Sequence, residues 1–320
     1  MIARNPVFHS ALLVSILSLI SGCTLESSLD GSEYSAAVPK SEHVRIAAPD
    51  DSKDAQGAGA PSPAPAKWYD YTRRATEELN QATQSVVGTV NFVAHTIPSE
   101  VGDDHAVWGP FTLFDEPGSW TLRIERDATG EYHYAFSGRP RTSSSDADFK
   151  VVLEGIGYGV GDERHGDGRF TAYIDVAREL NPERFDEGSG TAVFTHELPA
   201  NIDEDPNATP RTLTAQLDPD GDSIGQFTSR ALADGTAELE VKGLVDTDPG
   251  ATALEDAAIL SKWRADGAGR ADVSLSGGDT VGGGALLEIT ECWAADATRV
   301  YYTDSLGIEP VFGAASNCAM

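Results

Sequence analysis

From Ser85 onward, apolar and polar positions alternate with a period of two. In Trp120-Thr121-Leu122-Arg123-Ile124-Glu125 the alternation is strict. Tyr132, Tyr134 and Phe136 share one face of a second run. Phe170, Ala172, Ile174 and Val176 share one face of a third, with Thr171, Tyr173 and Asp175 opposite. Ala237, Leu239 and Val241 oppose Glu238, Glu240 and Lys242, and Ala271, Val273 and Leu275 oppose Asp272, Ser274 and Ser276. Such alternation predicts strands buried on one face and wet on the other. Residues 67–83 follow a different period. Trp68, Tyr71, Ala75, Leu79 and Ala82 recur every three or four positions, which predicts one short amphipathic helix. Strands are expected from Ser85.

The connectors support hairpins. Asp127-Ala128-Thr129-Gly130, Asp234-Gly235 and Asp266-Gly267 each join two alternating runs. Asp-Gly supplies the positive φ of a tight turn. Roughly 11–14 strands fit between residues 85 and 312 at ordinary strand and turn lengths. The expected fold is all-β: an antiparallel meander curled into a barrel or half-barrel, with a two-sheet β-sandwich as the alternative. Glycine-led segments at Gly166, Gly190, Gly267 and Gly284 admit a duplicated unit or simply recurring turns.

The first 22 residues differ from everything after them. Arg4 precedes the apolar run ALLVSILSLI (Ala11 to Ile20), and Ile20-Ser21-Gly22-Cys23 follows. A basic start, a short apolar core and small residues at the cut describe a secretory signal, and the run is too short to span a bilayer. The tetrad resembles the lipobox of bacterial lipoproteins. That resemblance, confined to the first 23 residues, implies acylation of the Cys23 thiol and cleavage before it. Thr24 lacks the Asp that marks inner-membrane retention in that class, which favours the outer membrane. The expected organisation is a signal peptide at 1–22, a lipidated Cys with a disordered linker at 23–66 and one β-rich domain at 67–320. The linker is rich in Ser, Ala, Pro, Asp and Gly and ends PSPAPA, a composition that buries too little to offset its ordering entropy.

Charge narrows the partners. The chain carries −28, and its first 22 residues hold one Arg and no acid, so the remainder carries −29. Phosphate backbones repel such a surface, which argues against nucleic acid. The membrane contact expected is therefore the lipid itself, with an envelope protein or an apolar ligand as further partners. Three cysteines are present. With Cys23 carrying lipid, Cys292 and Cys318 form an even pair in an oxidising compartment, which predicts a disulfide. The stretch from Glu291-Cys292-Trp293 to Cys318 resembles the ending of uncharacterised bacterial lipoproteins and implies no activity.

Catalytic signatures do not emerge. Gly-x-Ser-x-Gly is absent, and His196-Glu197 lacks the second His of a zinc-protease helix. His133 and His196 are expected on polar strand faces. Asp218, Asp220 and Asp222 alternate in an Asp-rich turn and offer oxygens to calcium, but Ser223 and Ser229 stand where an EF-hand needs Gly and Glu. No other cofactor is expected. The function expected is a non-enzymatic structural or partner-binding envelope protein. The alternative is a carrier whose apolar ligand sits among Trp120, Leu122, Ile124, Tyr132, Tyr134 and Phe136. An anchored hydrolase comes third.

Overall fold

The computed structural model describes residues 31–49, 65–112, 116–183, 189–198, 210–218, 225–232, 234–245, 253–278, 280 and 283–318. Fourteen strands form one antiparallel sheet in chain order, each paired with its sequence neighbours. They are β1 (Glu100–Val101), β2 (His105–Phe111), β3 (Gly118–Arg126), β4 (Tyr132–Pro140), β5 (Lys150–Gly157), β6 (Gly168–Tyr173) and β7 (Thr191–Glu197). The second half comprises β8 (Arg211–Asp218), β9 (Gly225–Ala231), β10 (Ala237–Val245), β11 (Glu255–Trp263), β12 (Gly269–Ser276), β13 (Leu287–Trp293) and β14 (Arg299–Asp304). Among the described residues three α-helices accompany them: α1 (Ser32–Ser35), α2 (Lys67–Ala94) and α3 (Ile174–Leu180).

The sheet is all-β and a meander, as the alternation predicts, but it does not close into a barrel. Among the described strands β1 pairs only with β2, and β14 only with β13. Both edges are nonetheless blunted, as exposed strand edges must be. β1 is two residues long. Beside β14 the chain folds back, and Tyr302 and Phe312 exchange backbone hydrogen bonds at 3.0 Å.

The hairpins share one design. In the β3–β4, β9–β10, β11–β12 and β13–β14 turns, an Asp carboxylate oxygen accepts the backbone N–H two residues on. The donors are Thr129, Thr236, Ala268 and Thr298. The residue after that Asp, or in the β3–β4 turn the third after it, then takes positive φ: Gly235, Gly267 and Ala297, and Gly130. In the last turn an alanine stands where the others have glycine, so the sequence gives no turn signal there.

One face of the sheet is dry because the chain covers it twice. The helix α2 runs across the strands. Its start meets β13, where the Glu291 carboxylate accepts the Trp68 N–H at 2.6 Å. Its end meets β2, where the Trp108 indole N–H donates to the Thr96 carbonyl just beyond the helix. Its 28 residues span about 42 Å. The spacing expects it to stop near residue 83. Instead Val86, Val87, Val90, Val93 and Ala94 extend the buried stripe, so residues 85–94 are helix where strands are expected. Thr72, Thr76 and Thr83 are buried in the same stripe, each hydroxyl donating to the carbonyl four residues back. That local bond spares them an unpaired polar group.

The second cover is the segment 31–49, which lies within the expected linker. It is packed: Tyr34, Val38, Val44 and Ile46 are buried in the main core. It runs antiparallel to α2, with Asn80 bonding both the N–H and the carbonyl of Ile46. Four apolar side chains in 13 residues are enough to dock this stretch, though their spacing matches neither regular period. Residues 50–64 and 1–30, with Cys23, lie outside the described residues.

A smaller core cluster lies at one corner. Trp120, Val152 and Leu180 bury one another there. α3 packs on this corner, so Ile174 and Val176, expected in a strand, are helical.

Cys292 and Cys318 are joined by a disulfide. It ties the C-terminal tail to β13. A closed loop of this length stabilises by about 3 kcal/mol through chain entropy. Reducing it, or the Cys318→Ser variant, should lower stability by about that amount in a denaturant titration. An unchanged midpoint would show that the tail contributes nothing to cooperative unfolding.

Candidate functional site

The residues expected to line a ligand site do share one sheet face. Leu122 and Ile124 on β3 are fully buried, and Tyr134 on β4 nearly so. They belong to the core that includes α2 and the leading segment. Tyr34 of that segment meets Tyr132 edge to face at 5.9 Å. Trp120 and Phe136 stack at 5.4 Å in the smaller cluster. The aromatic positions are thus brought together as interior packing, with side chains of the same chain on top of them.

The aromatic rings also lie flat on glycines of the neighbouring strand. Tyr134 covers Gly155, Trp120 covers Gly138 and Trp293 covers Gly269, so closely that a Cβ at these glycines would meet the ring at 2.3–2.5 Å. The missing side chain is what admits the ring.

Of the expected calcium ligands, Asp218 ends β8, and Asp220 and Asp222 lie outside the described residues. The Asp218 Oδ1 is buried without a partner among described residues.

The two histidines separate. His133 on β4 is exposed on the outer face, as expected. His196 is buried, a correction to the expected polar placement. It sits at an inward position of β7 with Ala192 and Phe194. Its Nδ1 lies 2.8 Å from the Gly166 carbonyl, the arrangement of an N–H donating to it. The Nε2 has no partner among described residues.

Two more histidines join it. His43 of the leading segment faces His196 with ring centroids 6.5 Å apart, and His165 with centroids 5.9 Å apart. The His43 Nδ1 accepts the Lys40 N–H. Burial, with His196, His165, Lys40 and Arg211 nearby, pushes the His43 pKa down to about 4. Burial also lowers that of His196. Sequence spacing does not show this cluster, since His43 lies 122 residues before His165 and 153 before His196, on a segment whose apolar residues follow no regular period.

The sign of the linkage follows. A folded-state pKa below the unfolded value means that the unfolded chain binds more protons in between, so stability falls on acidification. Stability is fully present above about 6.5 and is lost as pH falls from there towards about 4. Segment 31–49 should therefore lose hydrogen-exchange protection in this window. A His43→Leu variant should show a weaker pH dependence there. Equal pH profiles for both proteins would refute this account.

The outer face carries paired charges. Glu238 faces Arg230 at 2.7 Å and Lys262 at 3.3 Å, and Asp272 pairs with Arg270 at 2.6 Å. Exposed pairs of this kind contribute roughly 0–1 kcal/mol each. Beside them Glu240, Ala258, Leu260, Asp272 and Glu288 are among the residues that line a shallow depression.

At the β3–β4 hairpin Asp127, Glu131 and His133 converge, each offering a ligand atom within 4.8 Å of the others. Among the described residues no helix is long and apolar enough to cross a membrane. No protein-family model, curated protein or solved structure matches the chain.

Proposed function

We propose that this protein is a lipid-anchored envelope protein whose sheet domain has a structural or partner-binding role. The observation that carries the proposal is the double cover on the apolar face. A carrier would keep that face open for its ligand. Here α2 and segment 31–49 occupy it, and Leu122 and Ile124 of the sheet are completely buried beneath them. In this reading the sheet curls as a half-barrel about α2, and its acidic outer face meets partners.

The anchor follows from the lipobox-like tetrad ending at Cys23. The packed segment begins at Gly31, so eight Cα steps separate it from Cys23. Fully extended, they reach about 28 Å. The anchor would thus hold the domain close to the bilayer, on a shorter tether than a linker running to residue 66 would give. Absence of Asp after the Cys favours the outer membrane.

The test is metabolic labelling with a palmitate analogue, followed by membrane fractionation. The wild-type chain should take up label and sediment with membranes. The Cys23→Ser variant should do neither. An unlabelled, soluble wild-type protein would overturn the anchor. Retention of the label by Cys23→Ser would overturn the assignment to that residue.

A further inference from the structure

We propose that Asp127, Glu131 and His133 form a binding site for a divalent first-row transition ion of the zinc class. All three come from one hairpin, Asp127-Ala128-Thr129-Gly130-Glu131-Tyr132-His133. The His133 Nε2 lies 3.5 Å from Asp127 Oδ2 and 3.4 Å from Glu131 Oε1. Those separations exceed the usual 2.7–3.2 Å range of an N–H···O hydrogen bond. They match the edge of a coordination tetrahedron: bonds of about 2.1 Å to nitrogen and carboxylate oxygen set ligand atoms about 3.4 Å apart. The imidazole stands between the two carboxylates at nearly equal distances.

The remaining carboxylate oxygens are already committed, which aims the free ones. Asp127 Oδ1 accepts from the Thr129 N–H and hydroxyl, at 2.8 and 2.7 Å, and from the Glu131 N–H at 3.0 Å. The Glu131 Oε2 accepts from the Tyr158 hydroxyl at 3.2 Å. Tyr158 reaches in from beyond β5, with the Arg164 guanidinium over its ring at 3.8 Å. Outer partners of this kind fix ligand orientation at metal centres. One imidazole nitrogen with two carboxylates suits zinc, manganese, iron(II) or cobalt(II) better than calcium or magnesium, which prefer oxygen alone. Three protein ligands leave a fourth position for water or for a donor from a partner. The site lies on the outer face, so it is open to both.

The probe is Zn²⁺ alone, titrated calorimetrically into the purified full chain in detergent after chelation, with Co²⁺ absorption reporting coordination geometry. One equivalent should bind at micromolar concentration, with a tetrahedral-type Co²⁺ spectrum. His133→Ala should weaken binding by at least tenfold, and Tyr158→Phe by a smaller factor. His133 is exposed, so its variant should keep the wild-type fold, which circular dichroism would verify. Absence of Zn²⁺ uptake would overturn the site. So would uptake that His133→Ala and Asp127→Asn leave unchanged, because the ion would then be held by the general acidic surface.

Discussion

Replacing Glu291 with alanine should destabilise the protein by about 3–5 kcal/mol, the combined cost of leaving a buried N–H unpaired and of losing a charge-assisted hydrogen bond to Arg299. Glu291 is fully buried on β13. One carboxylate oxygen accepts the Arg299 Nε–H at 2.6 Å, and the other accepts the Trp68 N–H at 2.6 Å. Trp68 is the second residue of α2, so its N–H belongs to the first turn, whose N–H groups have no partner within the helix. The residue before the helix is Ala66, with no side chain to cap it. A carboxylate 223 positions away takes that role and sits at the positive end of the helix dipole. Alanine would leave the N–H unpaired and strip Arg299 of its inner partner, although Arg299 keeps Glu309 at 2.7 Å. At this chain length the loss should lower the melting temperature by roughly 10 °C. A change below about 1 kcal/mol would mean that α2 is held by apolar packing alone.

Gly155→Ala should be nearly as damaging. A Cβ there would come within 2.3 Å of the Tyr134 ring and 2.6 Å of the Arg169 carbonyl oxygen. Neither can yield easily: the carbonyl is part of the β5–β6 ladder, and the ring is buried under the core. Overpacking of this kind costs about 1–3 kcal/mol, and the backbone contact places Gly155 at the upper end. Coupling provides the sharper test. In a Tyr134→Leu background the ring clash is relieved, so the added cost of Gly155→Ala should shrink by about 1 kcal/mol or more. Strict additivity, measured by denaturant titration of all four proteins, would show that the ring and the glycine do not interact.

These two sites illustrate what the chain reveals on its own. Alternation over Trp120–Glu125 and Ala237–Lys242 located strands and assigned their inner faces correctly, because a period of two follows directly from one-sided burial. Three hairpin turns were legible from Asp and Gly. The fourth was hidden by Ala297 in the glycine position. The last turns of α2 are not legible as helix from composition, since Val86, Val87, Val90 and Val93 are strand-like residues at helical spacing. Segment 31–49 was missed because its apolar residues have no regular period and its packing depends on contacts with distant strands. The six aromatic and aliphatic residues of β3 and β4 were placed on one face, but what covers that face could not be read from them. The Asp127–Glu131–His133 cluster comes from a turn visible in the sequence. Its convergence depends on the twist of one hairpin and on Tyr158, which spacing does not encode.

The central claim is that the apolar face of the sheet is filled by α2 and segment 31–49 of the chain itself, which under the proposed function leaves no room for a ligand. Native mass spectrometry of the full-length protein, extracted in detergent from the cells that express it, tests it most directly. The predicted spectrum shows the chain from Cys23 onward with its covalent lipid and no further lipid-sized adduct. A non-covalent lipid adduct, lost on collisional activation while the covalent mass remains, would contradict the account and return the aromatic residues of β3 and β4 to the role of a ligand site.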